Sequence, residues 1–379
     1  MSKWNGKELT IGSLKASTPI IQGGMGVGVS LSGLASAVAN EGGIGVISTA
    51  MIGMNEPDFY KNPREANIRA LRNEIRRARK LSNGIIGVNI MKVLGDYEDM
   101  VKVSIEEGID IIFVGAGPAT DLPSFLNKNS NTKLVPIVSS ARAATIITKR
   151  WLKSFNYIPD VFVVEGPKAG GHLGFSLDQI NNPDYDLEIL IIETLKAMDD
   201  LKEITGKDIP VIAAGGIFDG YDIHNFLQLG AAGVQMGTRF VTTIECDAVH
   251  AFKETYLKAN KGDIVIIKSP VGLPGRAIRN AFIDNFEQEM LLDESKRLKC
   301  LYHCITSCNP KTSPFCIAEA LINAQKGDLK NGFAFAGSNA HLINKITTVR
   351  KLIKRLAAEY NIAVRDTNKN IKIKEIKKW

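Results

Sequence analysis

The chain has 379 residues, 45% of them hydrophobic, with 34 glycines and a formal net charge of +7. That apolar content excludes a disordered polymer and can fill a core larger than the commonest domain, as a single α/β barrel requires. No apolar run reaches the ~20 residues of a membrane helix, and Met1–Lys7 lacks an apolar secretory core, so a cytoplasmic, non-membrane protein is expected.

The basic surplus sits in Arg69–Lys80 and Lys369–Lys378. Without interleaved aromatic residues it reads as a solvated helix face and a frayed terminus, not a nucleic-acid surface.

Eight apolar runs follow one another as strands: Pro19–Gln22, Ile44–Ser48, Ile85–Ile90, Ile109–Val114, Leu134–Val138, Val161–Glu165, Pro210–Ala214 and Ala232–Met236. Most are continuous Val/Ile stretches, the mark of strands buried on both faces of a parallel sheet. Helical patterns lie between them at Leu31–Glu41, Asn67–Leu81, Tyr97–Glu107, Ala141–Lys149, Ile189–Ile204 and Gly220–Leu229. Eight such units predict a (β/α)8 TIM barrel with its active site at the strand C-termini. An open doubly wound sheet is the alternative.

Long connections at Met51–Arg64 and Phe175–Leu187 are lid candidates. After Lys258 the rhythm stops. The expected division is a barrel over 1–257, a Cys-containing insertion or helical cap over 258–330, and a C-terminal helix with basic tail over 331–379. Helical patterns at Cys316–Gln325 and Leu342–Glu359 belong to the last two parts.

Chemistry concentrates where Val163–Glu165 runs into Gly166-Pro167-Lys168-Ala169-Gly170-Gly171-His172-Leu173-Gly174. Glycines at a strand end let backbone approach a flat or anionic ligand, and a histidine there can exchange a proton near neutrality. His224, His250, His303 and His341 lie in helix-like patterns and carry no assigned chemistry.

A second glycine loop, Gln22-Gly23-Gly24-Met25, follows the first strand. Ile47-Ser48-Thr49 leaves no acidic residue at the end of strand two, which argues against a Rossmann dinucleotide site. Ala214-Gly215-Gly216-Ile217 and Gln235-Met236-Gly237-Thr238-Arg239-Phe240 end the last two strands, where barrels commonly bind phosphate. Together they predict a phosphate-bearing cofactor.

These pieces, with Gly87-Val88-Asn89 between them, resemble the nitronate monooxygenase (2-nitropropane dioxygenase) family of FMN-dependent barrels over roughly Thr18–Phe240, with weaker agreement at Ser269–Ala277. The resemblance implies FMN, with Gly24, Met25 and Asn89 near the ring and Gly170 and Gly171 bordering it. It implies the phosphate at Gly215, Gly216, Gly237 and Thr238, further cofactor contacts from Gln22, Gly23, Ala214, Gln235 and Met236, and His172 as the catalytic histidine. It further implies oxidation of alkyl nitronates with dioxygen as acceptor. Flavin-dependent enoyl-acyl-carrier-protein reductases share the Gly-Gly-His piece, and there NAD(P)H would reduce FMN. Expected partners are a small-molecule substrate, NAD(P)H in the reductase case and a second copy in a homodimer.

Cys300, Cys304, Cys308 and Cys316 form C-x3-C-x3-C-x7-C, which the flavin chemistry does not require. On a helix the first three would share one stripe and pack as reduced thiols. Alternatively Asn309-Pro310 breaks that helix and the four bind a metal or iron–sulfur cluster, or they form disulfides. A non-enzymatic reading makes the protein a flavin-binding redox sensor with this segment as its responsive element. A barrel related to inosinate dehydrogenase would need a nucleophilic cysteine after one of strands one to seven, and none is there.

Overall fold

A computed structural model describes residues 4–289, 300, 302, 304–306, 308–311, 313 and 315–376. Eight parallel strands form a barrel: β1 Ile20–Gln22, β2 Gly45–Ser48, β3 Ile86–Met91, β4 Ile111–Gly115, β5 Lys133–Val138, β6 Phe162–Glu165, β7 Val211–Ala214 and β8 Gly233–Met236. Pairing runs in order from β2 to β8, and β8 returns to β1 with Gln235 opposite Ile21. A parallel bridge between Ile21 and Ile44 closes the ring, with Ile44 N donating to Ile20 O at 3.0 Å. The open sheet is thereby excluded.

The short strands are apolar on both faces because both faces are covered. Ile111, Phe113, Val163 and Ile212 fill the interior, while Ile112, Val114, Val164 and Ala213 face the helices. An N-terminal hairpin, Leu9–Ile11 against Leu14–Ala16, adds Leu9 and Ile11 to the interior cluster and plugs the strand N-terminal end.

The helices between the strands are Ser32–Asn40, Pro63–Leu81, Tyr97–Glu106, Ala141–Phe155, Leu187–Thr205 and Gly220–Gln228. The second starts earlier than its apolar periodicity indicates because Pro63 suits the first helical turn. Its basic face is paired: Arg72 and Arg76 meet Glu107, Arg79 meets Asp110, and Arg69 meets Glu56 and Asp58. The Arg69–Lys80 charge run is therefore largely accounted for within the fold. Met51–Arg64 is packed rather than open, with Met51, Met54 and Phe59 buried against Tyr302.

The region after Lys258 is not purely helical. Ile264–Lys268 and Pro274–Ile278 form an antiparallel ribbon, and Gly171–His172 joins it as a third strand, His172 opposite Gly275. Helices Ala281–Glu289 and Ile317–Gln325 flank it. Cys304 and Ile305 are not helical: Gly95 N donates to Cys304 O, Thr306 N donates to Val93 O, and Ile305 bridges Leu94. That pairing with the loop after β3 overrides the i, i+4, i+8 stripe. The last helix, Val349–Ile376, continues through most of the basic stretch expected to fray. It packs on Gly220–Gln228, and Tyr360 stacks on Trp4 at 4.0 Å.

Gly45 opens β2 directly beneath the first helix, where an added Cβ would stand 1.8 Å from Ala35 O. Gly45→Ala is expected to cost about 3 kcal/mol through overpacking, read as a drop in the urea midpoint. Gly262→Ala, with nothing within 4 Å of its Cβ, should stay within about 0.5 kcal/mol. Equal midpoints for the two variants would contradict this packing.

Candidate active site

The strand C-termini open on a cavity of about 860 Å3. Gly23, Gly24 and Met25 enter after β1, and Asn89 from β3. Gly170, Gly171 and His172 follow β6; Ala214, Gly215 and Gly216 follow β7; Gln235, Met236, Gly237 and Thr238 follow β8. All of these sequence-selected residues line one wall or another. Gln22 does not. Its side chain is used inside the barrel, where Nε2 donates to Gly23 O and Oε1 accepts from Val46 N, so it ties β1 to β2 and fixes the carbonyl of the first glycine.

His172 takes its position from the cap. Its Nε2 lies 2.7 Å from Ser269 Oγ, and its ring meets the edge of Phe335 at 5.0 Å between centroids. Burial lowers its pKa to about 4, so the imidazole is neutral at neutral pH. Ser269 is itself buried. When its hydroxyl donates to Nε2, the ring proton stands on Nδ1.

Three other residues complete the electrostatics. Glu165, at the end of β6, has its carboxyl raised to about 7 by burial, with no hydrogen-bond partner for its side chain among the described residues. Arg239 is buried, donates from Nε to Phe218 O at 3.2 Å and lies over the Phe218 ring at 4.5 Å. No carboxylate among the described residues forms an ion pair with it, and burial lowers its pKa. Arg276 Nη1 donates to Pro167 O and to Ala169 O at 2.6 Å, gripping the loop that carries His172.

The chain beyond the ribbon closes the other side. Gly337 N donates to Thr238 Oγ1 at 2.8 Å, Asn339 Nδ2 donates to Gly216 O, and Ser338 N donates to Lys168 O. Gly170 is obligatory here, because a Cβ would fall 2.5 Å from Ala336 C and Gly337 N. Sequence reasoning gave no role to Glu165, Arg239, Ser269 or Asn339. Glu165, Arg239 and Ser269 stand within the motifs at the strand ends and in Ser269–Ala277, whereas nothing local marks Asn339.

Among the other histidines, His224 lies in the Gly220–Gln228 helix, bonded through Nε2 to Thr367 Oγ1, and His250 pairs with Glu254 on the surface. His341 lies in a 3-10 turn, and His303 lies outside the described residues.

A buried neutral imidazole and a guanidinium with no carboxylate ion pair among the described residues line one cavity with glycine loops at a barrel's strand ends, which defines a barrel enzyme with a site for a flat or anionic ligand. Residues 7–359 match the family model for nitronate monooxygenase, and the chain belongs to that family, an oxidoreductase. It is 30% identical over 269 residues to (3aS,4S,5R,7aS)-5-hydroxy-7a-methyl-1-oxo-octahydro-1H-indene-4-carboxyl-CoA dehydrogenase of Mycobacterium tuberculosis. That match covers 71% of this chain and 65% of the relative, just under two thirds of its length. A probable nitronate monooxygenase of Staphylococcus aureus strain Newman is 29% identical over 75% of this chain and 81% of its own. FabK from Thermotoga maritima superposes with TM-score 0.71 at 29% identity, covering 93% of this chain and 96% of that one. Nitroalkane oxidase from Streptomyces ansochromogenes shares the fold, with TM-score 0.69 at 22% identity over 92% and 97%. No helix among the described residues is long and apolar enough to cross a membrane.

The lowered pKa of His172 predicts that its ring stays neutral from about pH 5 to 8, against an ordinary midpoint of about 6.5. Nitrogen NMR of histidine-labelled protein checks this, with His172→Gln used to assign the signal. A midpoint near the ordinary value would contradict the burial.

Proposed function

We propose that the protein is an FMN-dependent oxidoreductase that oxidises alkyl nitronates with dioxygen as acceptor. The observation that carries this reading is His172, a neutral imidazole anchored by Ser269 in the wall of a cavity otherwise built from glycine loops. Gly23, Gly24, Met25, Asn89, Gly170 and Gly171 would border the flavin ring. Ala214, Gly215, Gly216, Gln235, Met236, Gly237 and Thr238 would surround the phosphate end, with Arg239 as its counter-charge. The Arg239 guanidinium, buried with no carboxylate ion pair among the described residues, is the feature of this chain that fits a phosphate, since a buried charge demands a partner. Bound FMN would supply the electron chemistry, taking electrons from the substrate anion and passing them to dioxygen.

The chain's own part is proton handling and exclusion of water. With the ring proton on Nε2 and donated to Ser269 Oγ, Nδ1 would remove an acidic C–H proton from a nitroalkane; with the proton on Nδ1, the ring would donate a hydrogen bond to a nitronate already formed. Ser269 holds the ring so that one nitrogen faces the cavity. Phe335 covers its edge. Gln22 acts at one remove, through the Gly23 carbonyl.

A second reading, reduction of an enoyl thioester by NAD(P)H through FMN, draws support from the cavity mouth. Ile146 and Leu273 line it while 53% and 40% exposed, a surface suited to an acyl chain. One cuvette separates the two. Oxygen uptake that requires a nitronate and no nicotinamide supports the first reading, and NADH oxidation that requires a crotonyl thioester supports the second. His172→Ala should lower the productive reaction by about 10²–10⁴-fold, and an undiminished rate would remove the histidine from the mechanism. Arg239→Met should weaken FMN binding about tenfold or more while leaving riboflavin binding unchanged, the difference being one charge-assisted contact. Equal losses for both flavins would place the phosphate elsewhere.

A further inference from the structure

The four cysteines of 300–316 take no part in the chemistry above, yet one of them lies at the cavity. Cys304 lies in its wall beside Ile305, on backbone paired to the loop after β3. Cys316 caps the helix Ile317–Gln325, whose Ile317, Ala318 and Leu321 line the same cavity. Cys308 N donates to Ile305 O, which folds Cys308 back towards Cys304, and Cys304 and Cys316 pack against one apolar cluster. None of the four forms a disulfide. Tyr302, Phe59 and Met54 form an apolar floor against Cys304 and Cys316.

The spacing selects among possible occupants. Zinc sites favour two close pairs separated by a longer gap and draw their sulfurs to within about 3.8 Å of one another. Here three cysteines recur at equal short intervals with the fourth set apart, as in iron–sulfur loops. Among the described residues no three His, Cys, Asp or Glu close on a single ion, whereas a multi-iron cluster keeps its thiolates farther apart than one ion does.

We propose that Cys300, Cys304, Cys308 and Cys316 ligate a four-iron iron–sulfur cluster at the cavity rim, through which electrons reach or leave a flavin one at a time. Ligation stands on the cysteines alone; the electron route also rests on the flavin reading above. Each transfer moves one electron and makes or breaks no bond. For each substrate anion oxidised, two such transfers deliver two electrons to a one-electron carrier protein, which takes the place of dioxygen as acceptor, and the protons released pass to solvent.

The full-length protein, purified without oxygen, is expected to contain on the order of four iron and four acid-labile sulfide per chain. It should also show broad absorbance near 400 nm, on the order of that of other such clusters, that dithionite bleaches. Cys308→Ser and Cys316→Ser should lose most of the iron and keep their flavin bands. Cys246→Ser, whose thiol is buried against Val29 O, should keep both. Protein that stays iron-free after reconstitution with ferrous iron and sulfide, or that holds one zinc per chain instead, overturns the proposal, and flavin bands in that sample would leave the flavin reading standing. Iron-loaded protein that binds no flavin confirms ligation and sinks the electron route together with the flavin reading.

Discussion

The site depends on a grip between two distant parts of the chain. Arg276, buried in the ribbon, directs one guanidinium nitrogen at two carbonyls of the loop after β6, Pro167 O and Ala169 O. Its neighbours Gly275 and Pro274 pair with His172 and Leu173. A buried guanidinium is costly to desolvate, and hydrogen bonds to a charged group return about 1.5–3 kcal/mol each, so the loop conformation that presents both carbonyls is favoured over others. The histidine is thereby set against Ser269 and Phe335, groups that come from the cap and not from the barrel. A barrel alone would supply glycines and a cavity but no fixed base.

The charges in the cavity follow the same logic. Burial keeps His172 neutral and pushes the Glu165 carboxyl up to about 7, while Arg239 remains without a carboxylate partner among the described residues. Among the described residues the walls therefore hold one poorly compensated positive charge, just after β8, and a neutral imidazole that does not compete for an anion. An anion entering the cavity meets a preorganised counter-charge.

Much of the architecture was legible because eight strands buried on both faces leave an unbroken apolar signature, and each predicted run overlaps its strand. The glycine loops were legible for a similar reason, since a close backbone approach permits no other residue at Gly170. What escaped was anything decided by a distant partner. Gln22 sits at a strand end like a ligand contact, but its amide is consumed by Gly23 and Val46. The cysteine segment carries a helical spacing that pairing with Val93 and Gly95 cancels. Asn339 reaches Gly216 across 123 positions, a contact that no local pattern can encode.

The segment Phe335–Asn339 carries one more implication. It seals the loops after β6, β7 and β8 with its own backbone and with Asn339. During synthesis, a chain that has produced all eight strands still has an unroofed pocket, because the closing piece emerges some hundred residues later. A molecule bound before the roof closes would be retained by the fold as much as by its own contacts.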